Sequence, residues 1–136
     1  MDNLIIEAAK DSPDIRFDPK NNILEIKGES FPENAADFYS PVFLWLEKYI
    51  EQLTDQDVMV NIELIYFNSS SSKILLDFFD MLDEAADAGK NITINWIYDE
   101  EDDESLEFGE EFQEDFNSVR FNMIQKDAAG EQTNAF

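Results

Sequence analysis

Four consecutive serines lie between an aromatic pair and a lysine in Tyr66-Phe67-Asn68-Ser69-Ser70-Ser71-Ser72-Lys73. Hydroxyls at that density can cap a helix, accept a phosphoryl group or, next to an amine, act as nucleophiles. Residues 58–67 upstream are rich in β-branched and aromatic side chains, the composition of a largely buried strand. Downstream, Leu75, Phe78, Phe79, Leu82 and Ala86 recur at helical spacing, with Lys73, Asp77, Asp80, Glu84 and Asp87 on the other face. The spacing predicts a helix over 73–88, with the serines at the junction. A helix start leaves backbone N–H groups unpaired and carries partial positive charge, which suits a capping oxygen or an added phosphate. One serine suffices as an N-cap. Four leave hydroxyls to spare.

Other chemistry is poorly supported. Lys73 follows Ser69 by four residues, but a Ser–Lys catalytic pair needs a desolvated lysine and nothing marks one. In the acidic run 99–104, Asp99, Glu101, Asp103 and Glu110 fall at positions 1, 3, 5 and 12 of a calcium loop. The sixth position, where the sharp turn needs glycine, is Glu104. A solvated turn with a negatively charged helix start is the better reading of the run. The absence of cysteine and histidine excludes disulfides, thiolate zinc sites, Cys nucleophiles and Ser-His-Asp triads within this chain. The four glycines, at 28, 89, 109 and 130, are too scattered for a phosphate-cradling loop, and no Gly-x-Ser-x-Gly elbow occurs. No catalytic residue, metal ligand or cofactor is therefore expected. Phe31, Phe38, Tyr39, Trp45, Tyr66 and Trp96 read as core or interface residues.

The elements that must position the serines fit one domain. The chain has 136 residues, 43% of them hydrophobic and 12 of them phenylalanine, enough for a real core. Its 32 acids against 9 bases give a formal net charge of −23, which repels phosphate backbones and anionic lipid. Neither nucleic acid nor membrane is an expected partner; a basic or neutral protein surface is. The opening Met-Asp-Asn-Leu-Ile-Ile-Glu lacks the basic region and apolar core of a signal peptide, and no apolar run approaches the roughly 18 residues of a membrane span. The expectation is a soluble cytoplasmic protein.

Short strands are predicted at 4–7, 14–18 and 23–27, the last closed by Gly28. Asn34 is the expected cap of a first helix whose buried stripe is Phe38, Val42, Trp45, Leu46, Tyr49 and Leu53, with Pro41 either kinking it or restarting it from Ser40. Strand 58–67, helix 73–88 and the alternating strand 91–98 form a predicted right-handed βαβ unit. Leu106, Phe108, Phe112 and Phe116 mark a third helix, and 119–124 an edge strand. The expected fold is α/β, a single mixed β-sheet with helices packed against it, in one domain over 1–126. Residues 127–136 read as a flexible tail.

Three segments together carry a resemblance: Leu4-x-Ile6 with Ser12-Pro13, Ser30-Phe31-Pro32-Glu33-Asn34, and Tyr66-Phe67-Asn68-Ser69-Ser70-Ser71-Ser72-Lys73. Trp96-x-Tyr98 and Glu110-Glu-Phe-x-Glu-Asp115 add to it. The pattern, from about residue 2 to 124, resembles the SiaC family of bacterial regulatory phosphoproteins. The arrangement is similar to anti-sigma factor antagonists, with a STAS-like fold. The resemblance implies that the hydroxyl directly after Asn68, that of Ser69, is phosphorylated by a serine/threonine kinase and cleared by a PP2C-type phosphatase. It also implies that the unmodified form engages an effector, a diguanylate cyclase, in cyclic-di-GMP signalling. Serine stands where the family commonly has threonine, and Ser72 adds a competing hydroxyl.

Two readings of the run thus stand side by side. In one, Ser69 is a switchable phosphoacceptor, Asn68 fixes the turn, Ser70 or Ser71 caps the helix and Lys73 helps hold the phosphate. In the other, the chain is a constitutive acidic binding or scaffold module whose serines only cap. A small metal-dependent or acid-catalysed enzyme using 99–104 is a third, weaker reading.

Overall fold

The computed structural model describes residues 1–127 and the backbone of residues 132–134. Seven strands form one sheet in chain order: β1 (Leu4–Ile6), β2 (Asp14–Asp18), β3 (Ile23–Ser30), β4 (Asp57–Phe67), β5 (Asn91–Asp99), β6 (Arg120–Lys126) and β7 (Gln132–Asn134). β1, β2 and β3 pair antiparallel, β3 to β6 pair parallel, and β7 pairs antiparallel with β6. The three parallel steps cross through α1 (Ala35–Gln52), α2 (Ser69–Asp87) and α3 (Asp103–Asp115). Each crossover advances one strand in the same direction, so crossovers of one hand place all three helices on one face of the sheet. The mixed sheet with packed helices is the fold that the element order predicts.

The core lies between sheet and helices. Val58, Val60, Ile62 and Leu64 of β4 and Ile92, Ile94, Trp96 and Tyr98 of β5 point into it. There they meet Leu75, Phe78, Phe79 and Leu82 of α2 and Phe112 of α3. Phe79 is a hub, with the rings of Phe112, Phe121 and Phe116 at 5.1, 5.5 and 6.0 Å. The opposite face carries a row of amides, Asn95 donating to Asn61 and Asn122 donating to Asn95 across β4, β5 and β6. That row, with Ile97, buries the outer side of β5, so the strand expected to have one wet face is enclosed over residues 94–98.

Several local expectations are corrected. β3 does not stop at Gly28 but runs to Ser30. Gly28, at φ +123°, faces a bulge in β4: Gly28 pairs with Leu64 and Glu29 with Tyr66, leaving Ile65 extra. The added residue reverses the phase of β4, so Ile65 and Tyr66 both face outward and Phe67 turns in. α1 is continuous through Pro41, with no restart at Ser40. Pro41 and Asp37 are both exposed, so the carbonyl that Pro41 cannot satisfy is open to water. β6 is an inner strand, because residues 132–134 of the expected tail pair with it; 128–131 and 135–136 lie outside the described residues.

Gly109 sits inside α3 where a helix former is normally favourable by about 0.5–1 kcal/mol. A Cβ there would lie 2.4 Å from Met123 Cε and 2.5 Å from Trp96 Cδ1. Met123 can bend away, but Trp96 is fully buried and its indole donates to the Ser105 carbonyl at 2.9 Å. Overpacking should outweigh propensity, so Gly109→Ala is expected to destabilise by about 1–3 kcal/mol. A thermal midpoint at or above that of the wild type would contradict this.

Candidate functional site

The carboxyl ends of β3, β4 and β5 lead into the amino ends of α1, α2 and α3, so the residues of interest gather at one end of the sheet. α2 begins at Ser69, four residues earlier than the apolar spacing indicates. Its cap is Asn68, not a serine. Asn68 Oδ1 accepts from the Ser71 amide at 2.9 Å, and the Asn68 carbonyl accepts from the Ser72 amide at 2.9 Å. An asparagine satisfies an N-cap as well as a serine does. The serines therefore form the first helical turn, and each has a different exposure.

Ser69 and Ser70 are exposed, Ser72 is partly buried, and Ser71 is completely enclosed at 0% exposure. Ser71 Oγ lies 2.8 Å from Ser30 Oγ, which lies 2.7 Å from the Tyr39 hydroxyl. This chain of three hydroxyls joins α2, β3 and α1 inside the core. The Asn68 amide also donates to the Ser30 carbonyl at 3.1 Å. The segments Ser30-Phe31-Pro32-Glu33-Asn34 and Tyr66 to Lys73, more than thirty residues apart in sequence, are thus in direct contact. On the surface the Phe31 and Tyr66 rings meet edge to face with centroids 5.7 Å apart, while Asn34 Oδ1 caps α1 through the Asp37 amide at 3.1 Å.

Of the sequence-predicted residues, Asn68, Ser69, Ser70 and Lys73 all reach the surface or border it, and Ser71 does not. Enclosure removes Ser71 as a substitute acceptor. The Ser69 and Ser70 amides have no acceptor among the described residues, so the helix start presents two free donors. Lys73 is exposed and makes no ion pair among the described residues. The first turn of α2 contains no acid, whereas α1 has Asp37 there and α3 has Asp103 and Glu104. In so acidic a chain, α2 alone keeps an uncompensated positive end.

The acidic run is divided among elements. Asp99 ends β5, Asp102 caps α3 by accepting from the Ser105 amide at 3.0 Å, and Asp103 and Glu110 lie within α3. No group of three or more acids among the described residues could hold a metal ion. No described helix is long and apolar enough to cross a membrane.

The roles of Ser30 and Tyr39 were not apparent in the sequence. The available signal was phase: Ser30 continues the inward series Leu24, Ile26, Gly28, and a hydroxyl at an inward position needs a partner. Burial raises the Tyr39 pKa to about 12, with the Ser30 hydrogen bond opposing. The folded chain thus holds this proton more tightly than the unfolded chain, whose tyrosine titrates near 10. The resulting stability is fully present below pH 10 and is lost as pH rises towards 12. Urea denaturation between pH 9 and 11.5 should show a shallower loss in Tyr39→Phe than in the wild type, by up to about 1.4 kcal/mol per pH unit. Equal slopes would contradict the enclosure of Tyr39.

Comparison with known proteins agrees with this geometry. A family model described as SiaC family regulatory phosphoprotein matches residues 6–126. An uncharacterized protein of Pseudomonas aeruginosa strain UCBPP-PA14 is 31% identical over 115 residues, 85% of this chain and 90% of that one. Among solved structures, SiaC of Pseudomonas aeruginosa is 30% identical with a TM-score of 0.82, over 89% of this chain and 96% of that one. The structure of the diguanylate cyclase SiaD in complex with its activator SiaC, from the same organism, matches at 31% identity and a TM-score of 0.83, over 90% of this chain and 98% of that one. A family match that runs from β1 to the end of β6, together with the fold and the contact between the two motif segments, shows that this chain belongs to the SiaC family of regulatory phosphoproteins.

Proposed function

We propose that this chain is a non-catalytic cytoplasmic switch, reversibly phosphorylated on Ser69. The carrying observation is the first turn of α2: Asn68 performs the capping, Ser71 is sealed in the core, and Ser69 is exposed at a helix start free of acids. A constitutive module with serines as caps loses its rationale, because none of the four is the cap.

A cognate serine/threonine kinase supplies the nucleotide. Ser69 Oγ attacks the γ-phosphorus of ATP; the Oγ–P bond forms as the bond to ADP breaks, and the hydroxyl proton passes to a base of the kinase. A PP2C-type phosphatase uses water to break the Oγ–P bond, restoring the hydroxyl and releasing inorganic phosphate. The unmodified surface binds and activates an effector. A diguanylate cyclase is the effector proposed here, since the related SiaC is the activator of SiaD. Phosphorylation adds roughly −1.5 to −2 charges. The free Ser69 and Ser70 amides and the nearby Lys73 can accommodate them, while an effector covering the Phe31–Tyr66 surface would have to desolvate them.

Phosphopeptide mapping after incubation with the cognate kinase and ATP should place the phosphate on Ser69, and Ser69→Ala should remain unlabelled. Label on Ser70, Ser72 or elsewhere, with Ser69 unmodified, would contradict the assignment. Ser69→Asp should keep or slightly raise the thermal midpoint, because a negative charge in this acid-free turn is favourable by about 0.3–1 kcal/mol. A drop of many degrees would mean that the turn cannot hold charge.

A further inference from the structure

Between Phe67 and Ile74 the chain carries no apolar side chain, so hydrophobic burial does not fasten the first turn of α2. Ser69, Ser70 and Lys73 are exposed and Ser72 is partly buried; of the turn, Ser71 alone is enclosed in the core. Among the described residues, the span 68–73 makes two hydrogen bonds to another element, and both end on Ser30. The Ser30 carbonyl accepts from the Asn68 amide at 3.1 Å, immediately before Ser69. The Ser30 hydroxyl meets Ser71 Oγ at 2.8 Å, two residues after Ser69. Ser30 is itself at 0% exposure at the end of β3, where its pairing with Phe67 of β4 fixes it in the sheet.

We propose that Ser30 is a positioning residue for the phosphorylation of Ser69: through the Ser71 hydroxyl it pins the first turn of α2 to the sheet and so sets the direction in which Ser69 Oγ is presented. The inference rests on the phosphoacceptor reading above and assigns control of the acceptor's geometry to a residue no partner touches. Phosphoryl transfer requires the attacking and leaving oxygens roughly in line, and a misplacement of about 1 Å can cost ~100-fold in rate. A helix end held by polar contacts alone is among the segments that open most readily. The Asn68 cap restrains the backbone within the turn, but its bond to the Ser71 amide does not tie the turn to β3. The Ser30–Ser71 bond does. Tyr39 shares the Ser30 hydroxyl at 2.7 Å, which one donor and two lone pairs allow, and it makes no hydrogen bond to the turn.

Cutting the tether should slow the chemical step while leaving docking unchanged. With the kinase that labels Ser69, Ser71→Ala and Ser30→Ala are each expected to lower kcat at least fivefold, with KM within twofold of the wild type. Tyr39→Phe removes the other hydrogen bond of Ser30 and leaves the tether, so its kcat and KM should both stay within twofold. Amide hydrogen exchange, measured without the kinase, should quicken at least threefold more at Ser72 than at Leu82 in both tether variants. Ser71→Ala leaves the Ser30–Tyr39 pair intact and carries the test alone if Ser30→Ala, which strands two buried hydroxyls, does not fold. Unchanged kcat in Ser71→Ala, or an equal fall in Tyr39→Phe, would overturn the positioning role while leaving Ser69 as the acceptor. A wild-type chain labelled elsewhere, with Ser69 unmodified, would overturn the functional reading and the positioning role together.

Discussion

The structure around the candidate site depends on one hydrogen bond, from the Ser71 amide to Asn68 Oδ1. Because Asn68 closes the helix start, no serine hydroxyl is consumed by capping. Because the same contact fixes Ser71 at the third helical position, its hydroxyl turns inward to Ser30 and that of Ser69 stays outside. A cap on Ser70 or Ser71 would begin the helix later and leave Ser69 in the extended chain before it, outside the first helical turn.

The buried hydroxyl chain extends this constraint to the whole fold. Tyr39, Ser30 and Ser71 belong to α1, β3 and α2, and none is more than marginally exposed. Each hydroxyl would be costly to bury alone, and in the chain each has a partner. The bulge in β4 supports it by turning Phe67 inward next to Ser30 while leaving Ile65 and Tyr66 outside. The same irregularity thus seals the site from below and shapes its outer surface.

Much of this was legible in the sequence, for identifiable reasons. The βαβ order and the inward faces of β4 and α2 follow from periodicities that the structure reproduces. Two of the three segments that carry the SiaC resemblance, residues 30–34 and 66–73, are in contact. What was not legible depended on contacts between elements. The apolar spacing of α2 starts only at Leu75, so the polar first turn was invisible to it and the cap was assigned to the serines. Residues 132–134 carry little hydrophobic signal, and their strand is set by pairing with β6. The exposed Ile65 looks like an ordinary strand residue until the bulge places it and Tyr66 on the same side.

Electrostatics gives the site its direction of response. A formal charge of −23 makes added negative charge unfavourable almost everywhere on this surface, yet the first turn of α2 has two free amides, Lys73 nearby and no acid. Phosphate can be tolerated there by the folded chain and still be costly for a partner that must cover it. The direct measurement is a calorimetric titration of the proposed effector, a diguanylate cyclase, with the unmodified chain and with the chain fully phosphorylated on Ser69, both shown to retain α2 by amide spectra. The unmodified chain is expected to bind, and the phosphorylated one at least tenfold more weakly. Equal or tighter binding by the phosphorylated chain would contradict the proposed switch.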